Sequence, residues 1–99
     1  MPVKTKHYLI SGRVQGVSYR ASTEQQAHQL GLTGWVRNLT DGRVELMACG
    51  SDVQLQTLER WLWQGPARAQ VSQVGVTEVS VSAGDDFVVA ETAVTAARY

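Results

Sequence analysis

The stretch of residues 10–20 contains residue types at a spacing that could bind an anion. Gly12 and Gly16 stand four residues apart in it, and Arg20 follows where the loop should run into a helix. A glycine-containing loop can turn several backbone N–H groups towards one point. The first N–H groups of a helix have no partner inside the helix, and the helix dipole adds partial positive charge there. With a guanidinium beside them, these features predict an anion site at a strand–loop–helix junction.

Other reactive side chains do not form a competing site in the sequence. Cys49 is the only cysteine, which excludes an intramolecular disulfide and a multi-cysteine metal site. His7 and His28 share no metal-ligand spacing. Ser18 has no base paired with it, so we interpret it as a loop residue and not as a nucleophile. The tryptophans are predicted to pack in the core, because the charge around them is too mixed for a platform that binds single-stranded nucleic acid: Trp35, Trp61 and Trp63.

Length and charge restrict the class of protein. The nine Lys and Arg residues balance the nine Asp and Glu residues, so no overall field attracts nucleic acid or an anionic membrane, and neither is expected as a partner. The N-terminal residues lack the apolar segment of a signal peptide, and no apolar run approaches the ~20 residues needed to cross a bilayer. We therefore expect a small cytoplasmic monomer with one domain over residues 1–99.

The first half of the chain is predicted to contain a strand, a helix and a hairpin. Alternating apolar residues indicate a strand over residues 7–14, and the loop after it leads into a helix that Gly31 ends. Residues 34–39 and 43–49 should form a hairpin around Thr40-Asp41-Gly42. The apolar stripe of the helix consists of Tyr19, Thr23, Ala27 and Leu30.

The second half is predicted to contain another helix and two strands. Ser51 is a good N-cap for the helix, and Gly65-Pro66 should stop it. Residues 71–81 indicate a strand with a bulge near Thr77-Glu78, residues 87–89 a short last strand, and residues 91–99 show no clear period. The predicted buried side of this helix consists of Val53, Leu55, Leu58 and Leu62.

This order of elements is typical of one α+β architecture. Two strand–helix–strand units joined by a hairpin give the ferredoxin-like βαββαβ plan. We expect an antiparallel sheet with both helices on one face.

Two motifs resemble the signatures of a known family. The sequence G-x-V-Q-G-V-x-Y-R at residues 12–20 resembles the first signature of the acylphosphatases. The sequence G-W-V-R-N-x-x-x-G-x-V at residues 34–44, with Gly50 six residues further on, resembles the second. The resemblance covers about residues 7–81 and implies a ferredoxin-like enzyme with no cofactor and no metal.

The resemblance also implies a reaction and a set of site residues. The reaction is hydrolysis of the carboxyl–phosphate bond of acyl phosphates, with inorganic phosphate as product and inhibitor. Arg20 would bind the phosphate, and Asn38 would hold the attacking water. Taken without the motif around it, Asn38 is interpreted as a residue that satisfies the backbone of the turn Thr40-Asp41-Gly42, and only the motif favours the water-holding role. Gln15 is expected mainly to shape the loop. The implied phosphate cradle consists of Gln15, Gly16, Val17, Ser18, Tyr19 and Arg20.

The sequence departs from the family pattern beside Asn38. The animal enzymes resemble one another in having Thr directly after this Asn, whereas Leu39 stands here. Two other functions stay open on the sequence alone. The first is a non-catalytic anion-binding or regulatory ferredoxin-like domain, although a binder needs no water-holding Asn. The second is the acylphosphatase-like module of a larger carbamoyl-transfer maturation protein, which would require further domains and metal-binding cysteines.

Overall fold

Five strands and two helices follow one another in the predicted order in the computed structural model, which describes residues 2–95. In the first half, the apolar alternation and the loop glycines give a strand, a helix and a hairpin, as expected. The elements are β1 (Lys4–Arg13), α1 (Tyr19–Leu30), β2 (Thr33–Asn38), β3 (Val44–Gly50), α2 (Asp52–Gln64), β4 (Gln70–Val79) and β5 (Phe87–Val89).

The strands form one sheet in the order β4-β1-β3-β2-β5. The first four strands pair antiparallel, whereas β5 pairs parallel with β2. The predicted ferredoxin-like α+β fold is confirmed, and β5 extends it into a mixed sheet. Because β1, β2 and β5 run in the same direction, their C-terminal ends lie along one side of the sheet. The N-terminal ends of β3 and β4 lie along the same side. We call it the loop edge; it is marked by Arg13, Asn38, Val44, Gln70 and Val89.

The core lies between the sheet and the two helices. As predicted, α1 buries Tyr19, Thr23 and Ala27, and burying a large apolar side chain contributes roughly 1.5–3 kcal/mol. The Tyr19 hydroxyl donates to the carbonyl oxygen of Leu62 at 2.6 Å, and burial raises the pKa of this phenol. The core cluster includes Tyr8, Ile10, Val36, Val44, Leu46, Leu55, Leu58, Leu62 and Phe87.

Capping residues hold α2 at the predicted ends. Ser51 forms a full capping box with Gln54, with bonds of 2.8 and 3.2 Å. Gly65 ends the helix with φ +66°, and a Cβ there would come within 2.8 Å of the Tyr19 ring. A glycine is therefore required at this junction, where α2 meets the start of α1.

Two predicted core positions are exposed. Val53 has 65% of its surface exposed, since it lies two residues before the buried Leu55 and hence about 200° away around the helix. Trp63 is 52% exposed. Trp61 does pack against the core, with its ring centroid 5.6 Å from that of Tyr19. The prediction of core packing is thus wrong for Val53 and Trp63. It is wrong for Trp35 too, which is half-buried outside the core cluster.

The predicted bulge near Thr77-Glu78 is also wrong. β4 keeps one register against β1 from Gln73 to Val79, and the register shifts earlier, between Ser11 and Gly12. The valines change parity because β4 is an edge strand and need not keep its apolar residues on one face. Val76 lies on the same face as the buried Val74 but has 44% of its surface exposed.

A charged group occupies the sheet face opposite the helices. The Glu45 carboxylate contacts His7 Nε2 and Arg37 Nε, each at 2.7 Å. Burial works to raise the pKa of Glu45, but hydrogen bonds from His7 and Arg37 outweigh it and lower the pKa. The half-buried Trp35 lies beside this group, with Arg37 Cζ 4.6 Å from the centroid of its ring.

Within residues 2–95, neither helix has the length and hydropathy required to cross a membrane.

Candidate active site

The loop between β1 and α1 presents a set of unpaired backbone donors. Gly16 has φ +73° and Ser18 has φ +66°, so the residues on either side of Val17 both have a left-handed backbone conformation. Ser18 is the N-cap residue of α1, but its side chain makes no capping hydrogen bond. Within residues 2–95, no N–H group of residues 16–21 donates to a backbone or side-chain acceptor. The loop and the first turn of α1 therefore offer a run of free donors.

Arg20 adds a positive charge in the first turn of α1. It is half-buried, the first turn contains no acidic residue, and no ion pair among residues 2–95 involves it. The guanidinium, the helix dipole and the free N–H groups therefore act in the same sense, and all three favour an anion. Arg20 lines a cavity of about 220 Å³ together with Val14, Gln15, Gly16, Ser18, Tyr19, Ala21 and Val89.

The side chain of Gln15 ties this loop to the β2–β3 turn. Its Nε2 donates to the carbonyl oxygens of Leu39 and Arg43, at 2.8 and 2.9 Å. These two carbonyls flank the turn that follows Asn38. Gln15 therefore fixes the position of the loop relative to the end of β2.

Asn38 is the last residue of β2 and lies at the loop edge. It stands two residues after Val36, so the two side chains point to the same face of the sheet, the face covered by the helices. Its Oδ1 atom is the one buried side-chain polar atom within residues 2–95 that has no hydrogen-bond partner. Buried polar atoms are nearly always paired, so this acceptor without a partner sets Asn38 apart from the other buried polar side chains of residues 2–95.

Main-chain contacts hold Asn38 from the side opposite the loop. The Ala93 N–H donates to the Asn38 carbonyl at 3.0 Å, and the Thr40 N–H donates to the Ala93 carbonyl at 3.1 Å. Leu39, the residue directly after Asn38, is buried and forms a parallel bridge with Ala93. The segment after β5, which shows no period in the sequence, therefore runs along the end of β2. Residues 96–99 of the predicted tail lie outside the described residues.

The structure brings most of the predicted site residues to one place. One cavity is lined by Gln15, Gly16, Ser18, Tyr19 and Arg20 together. The side chain of Tyr19 is buried in the core and its hydroxyl donates to Leu62, so only the backbone of Tyr19 is available to a ligand.

The remaining predicted residues are placed apart from that cavity. Val17 lines a neighbouring cavity on the β4 side of the loop. Asn38 lines neither cavity and is connected to the loop through Gln15 and Leu39. Sequence reasoning missed the contact from Ala93, because the residues after β5 carry no local signal. Within residues 2–95, no group of three or more His, Cys, Asp or Glu side chains is arranged to hold a metal ion.

The chain is similar in sequence and in fold to acylphosphatases. The family model described as acylphosphatase matches residues 6–89. An acylphosphatase of Marinobacter nauticus is 57% identical over 79 residues, which cover 80% of this chain and 86% of that protein. The structure of an acylphosphatase from Coxiella burnetii superposes with a TM-score of 0.86 at 45% identity, over 89% of this chain and 93% of that one.

A more distant structure gives the same result. The acylphosphatase of Bacillus subtilis, at 32% identity, superposes with a TM-score of 0.85 over 90% of this chain and 99% of that one. The two motifs, the fold and these matches agree, and the chain belongs to the acylphosphatase family of enzymes.

Proposed function

We propose that the protein hydrolyses the carboxyl–phosphate bond of acyl phosphates. The loop of residues 15–20 binds the phosphoryl group, and Asn38 orients the attacking water. The general activity follows from membership of the family. The assignment of roles to individual residues is our proposal.

The phosphoryl group is held by the donors of the loop. The free N–H groups of residues 16–21 and the guanidinium of Arg20 provide several donors for the oxygens of a phosphate dianion. Phosphoryl transfer depends mainly on positioning and on stabilising charge on the oxygens, and these groups supply both. Because an acyl phosphate is a mixed anhydride with a carboxylate leaving group, no covalent nucleophile is needed.

Asn38 orients the attacking water. Its Oδ1 can accept a hydrogen bond from water and so direct a lone pair of the water oxygen at phosphorus. The amide is too weak a base to take the proton, so a phosphoryl oxygen of the substrate takes it. The new bond joins the water oxygen to phosphorus, the bond from phosphorus to the acyl oxygen breaks, and its electron pair leaves with the carboxylate.

The observation that carries the proposal is the unpaired Oδ1 atom of Asn38 at the edge of the sheet that also carries the unpaired N–H groups. A regulatory domain that only bound an anion would need the donors but not the orphaned acceptor. Membership of an enzyme family also speaks against that alternative.

The direct test is to mix the pure protein with benzoyl phosphate and follow its loss. Hydrolysis well above the buffer rate is expected, and a rate equal to buffer would overturn the proposal. Inorganic phosphate, the product, should inhibit competitively because it occupies the same cradle. Every group of the proposed site comes from one chain, so we propose an active monomer, and activity should follow the monomer peak in size-exclusion chromatography.

A further inference from the structure

A second cavity adjoins the proposed phosphate cradle on the other side of the loop. It has a volume of about 590 Å³ and extends from the loop to the segment between α2 and the start of β4. Gln15 and Gly16 line both this cavity and the smaller one beside Arg20. A Cβ built on Gly16 would meet no atom within 4 Å, so the space beside this shared lining residue is open. A ligand bound in the cradle can therefore extend past Gly16 into the second cavity.

The order of the strands relates this cavity to the direction of the reaction. In the sheet, β1 lies between β4 on one side and β3 and β2 on the other. Asn38 ends β2, so water directed by it approaches the phosphoryl group from the β2 side. In an in-line displacement the leaving group departs on the side opposite the nucleophile. The acyl group therefore points towards β4, where the second cavity lies.

The charge of this cavity indicates what it would accept. Arg13 and Arg68 line it, and no acidic residue does. Neither arginine forms an ion pair within residues 2–95. This contrasts with Arg37 and Arg43, which both contact carboxylates at the hairpin. Two arginines that line one cavity and form no ion pair within residues 2–95 suit an anionic group. Arginine pairs with carboxylate and phosphate in a bidentate manner.

We infer that Arg13 and Arg68 form a subsite for a second anionic group on the acyl moiety, so that the enzyme prefers acyl phosphates with a distal carboxylate or phosphate. The inference rests on the proposed function, because it assumes that the phosphoryl group occupies the loop. The two arginines contact the substrate away from the reacting bond, and they determine which acyl phosphate is used.

The test compares 4-carboxybenzoyl phosphate with 4-carbamoylbenzoyl phosphate. The two substrates have the same shape and differ in the charge of the distal group. We expect the wild-type protein to have the higher kcat/KM for the carboxylate. Arg13→Gln and Arg68→Gln should each reduce that preference roughly two- to fivefold, as expected for an exposed ion pair, and the double variant should abolish it. Added salt should reduce the preference of the wild-type protein, because screening weakens exposed charges.

Arg60→Gln is the matched control. Arg60 is an exposed arginine on α2 that does not line the cavity, and its substitution removes the same charge. It should leave the preference as in the wild-type protein. Equal losses on both substrates in the Arg13 and Arg68 variants, or no wild-type preference, would overturn the subsite. Failure of the wild-type protein to hydrolyse either substrate would instead overturn the proposed function itself.

Discussion

Gln15 donates a hydrogen bond of 2.8 Å from its side-chain amide to the carbonyl oxygen of Leu39. This bond joins the loop that holds the free N–H groups to the residue directly after Asn38. The two residues are 24 positions apart in the sequence. The distance between the proposed phosphate cradle and the proposed water-holding residue therefore depends on the side chain of Gln15.

Replacing Gln15 by Met keeps the length of the side chain and removes both hydrogen bonds. We expect kcat to fall about 10- to 100-fold, because small errors in position are costly in a reaction that depends on alignment. The free energy of unfolding, measured with urea, should fall by about 1–2 kcal/mol. Gln25→Met on the exposed surface of α1 is the control and should change neither value. A normal kcat in Gln15→Met would show that the bond to Leu39 does not align the site.

Replacing Arg20 by Lys keeps the positive charge and removes the planar guanidinium, which can donate two parallel hydrogen bonds to a phosphate. We expect Arg20→Lys to lose roughly 10²-fold in kcat/KM and Arg20→Ala to lose more, since one preorganised donor is typically worth about 10²–10³ in rate. Calorimetric titration with inorganic phosphate should show weaker binding in both variants. Arg60→Ala on α2 serves as the control for loss of an exposed arginine. Unchanged phosphate affinity in Arg20→Ala would remove Arg20 from the cradle.

Replacing Asn38 by Ala should separate activity from stability. We expect kcat to fall by about 10²-fold or more while the affinity for inorganic phosphate stays within a few-fold of wild type. The melting temperature should not fall, because Oδ1 has no partner within residues 2–95 and its removal breaks no hydrogen bond there. Gln54→Ala, which removes bonds to Ser51 and Leu30, should lower the melting temperature as a control. Loss of phosphate binding in Asn38→Ala would contradict the division of roles.

The segment after β5 is expected to support Asn38. A chain that ends at Ala90 lacks the bonds between Ala93 and the backbone of Asn38 and Thr40. We expect this truncation to lower kcat about 3- to 10-fold through misalignment, with phosphate affinity retained. A chain that ends at Thr95 is the matched control, because it keeps the bonds between Ala93 and the backbone of Asn38 and Thr40. Equal kcat in the two truncated proteins would show that Ala93 does not position Asn38.

The Glu45 group on the open sheet face should make stability depend on pH. Hydrogen bonds from His7 and Arg37 hold the pKa of Glu45 below its ordinary value. A group with a lowered pKa in the folded state stabilises the protein above its unfolded pKa, and the contribution disappears as the pH falls through the folded pKa. Glu45→Gln should therefore cost about 1 kcal/mol at pH 7, and the difference from wild type should shrink from about pH 5 downwards.

Urea unfolding at several pH values measures this dependence. Glu24→Gln is the control, because Glu24 forms no ion pair within residues 2–95, and its difference from wild type should not change in this way. A Glu45→Gln difference that stayed constant from pH 7 to pH 3 would show that the contacts with His7 and Arg37 do not stabilise the charged carboxylate.

The sequence by itself determined the elements whose signals are local. The capping box at Ser51, the αL glycine after α1 and the hairpin around Asp41-Gly42 depend on residues within a few positions of one another. The same holds for the run of N–H groups after Gly16, because a short loop and a helix start create it. Such features follow from backbone preferences, and the structure confirms the elements that the sequence predicted from them.

Only the tertiary structure decided how these parts meet. The bonds from Gln15 to Leu39 and Arg43, the parallel pairing of β5 with β2 and the contact of Ala93 with Asn38 join residues far apart in the chain. The cavity that brings Arg13 and Arg68 together likewise depends on β4 lying beside β1. Edge strands and irregular segments carry weak local patterns, so their partners are determined by packing across the whole sheet, which no short stretch of sequence encodes.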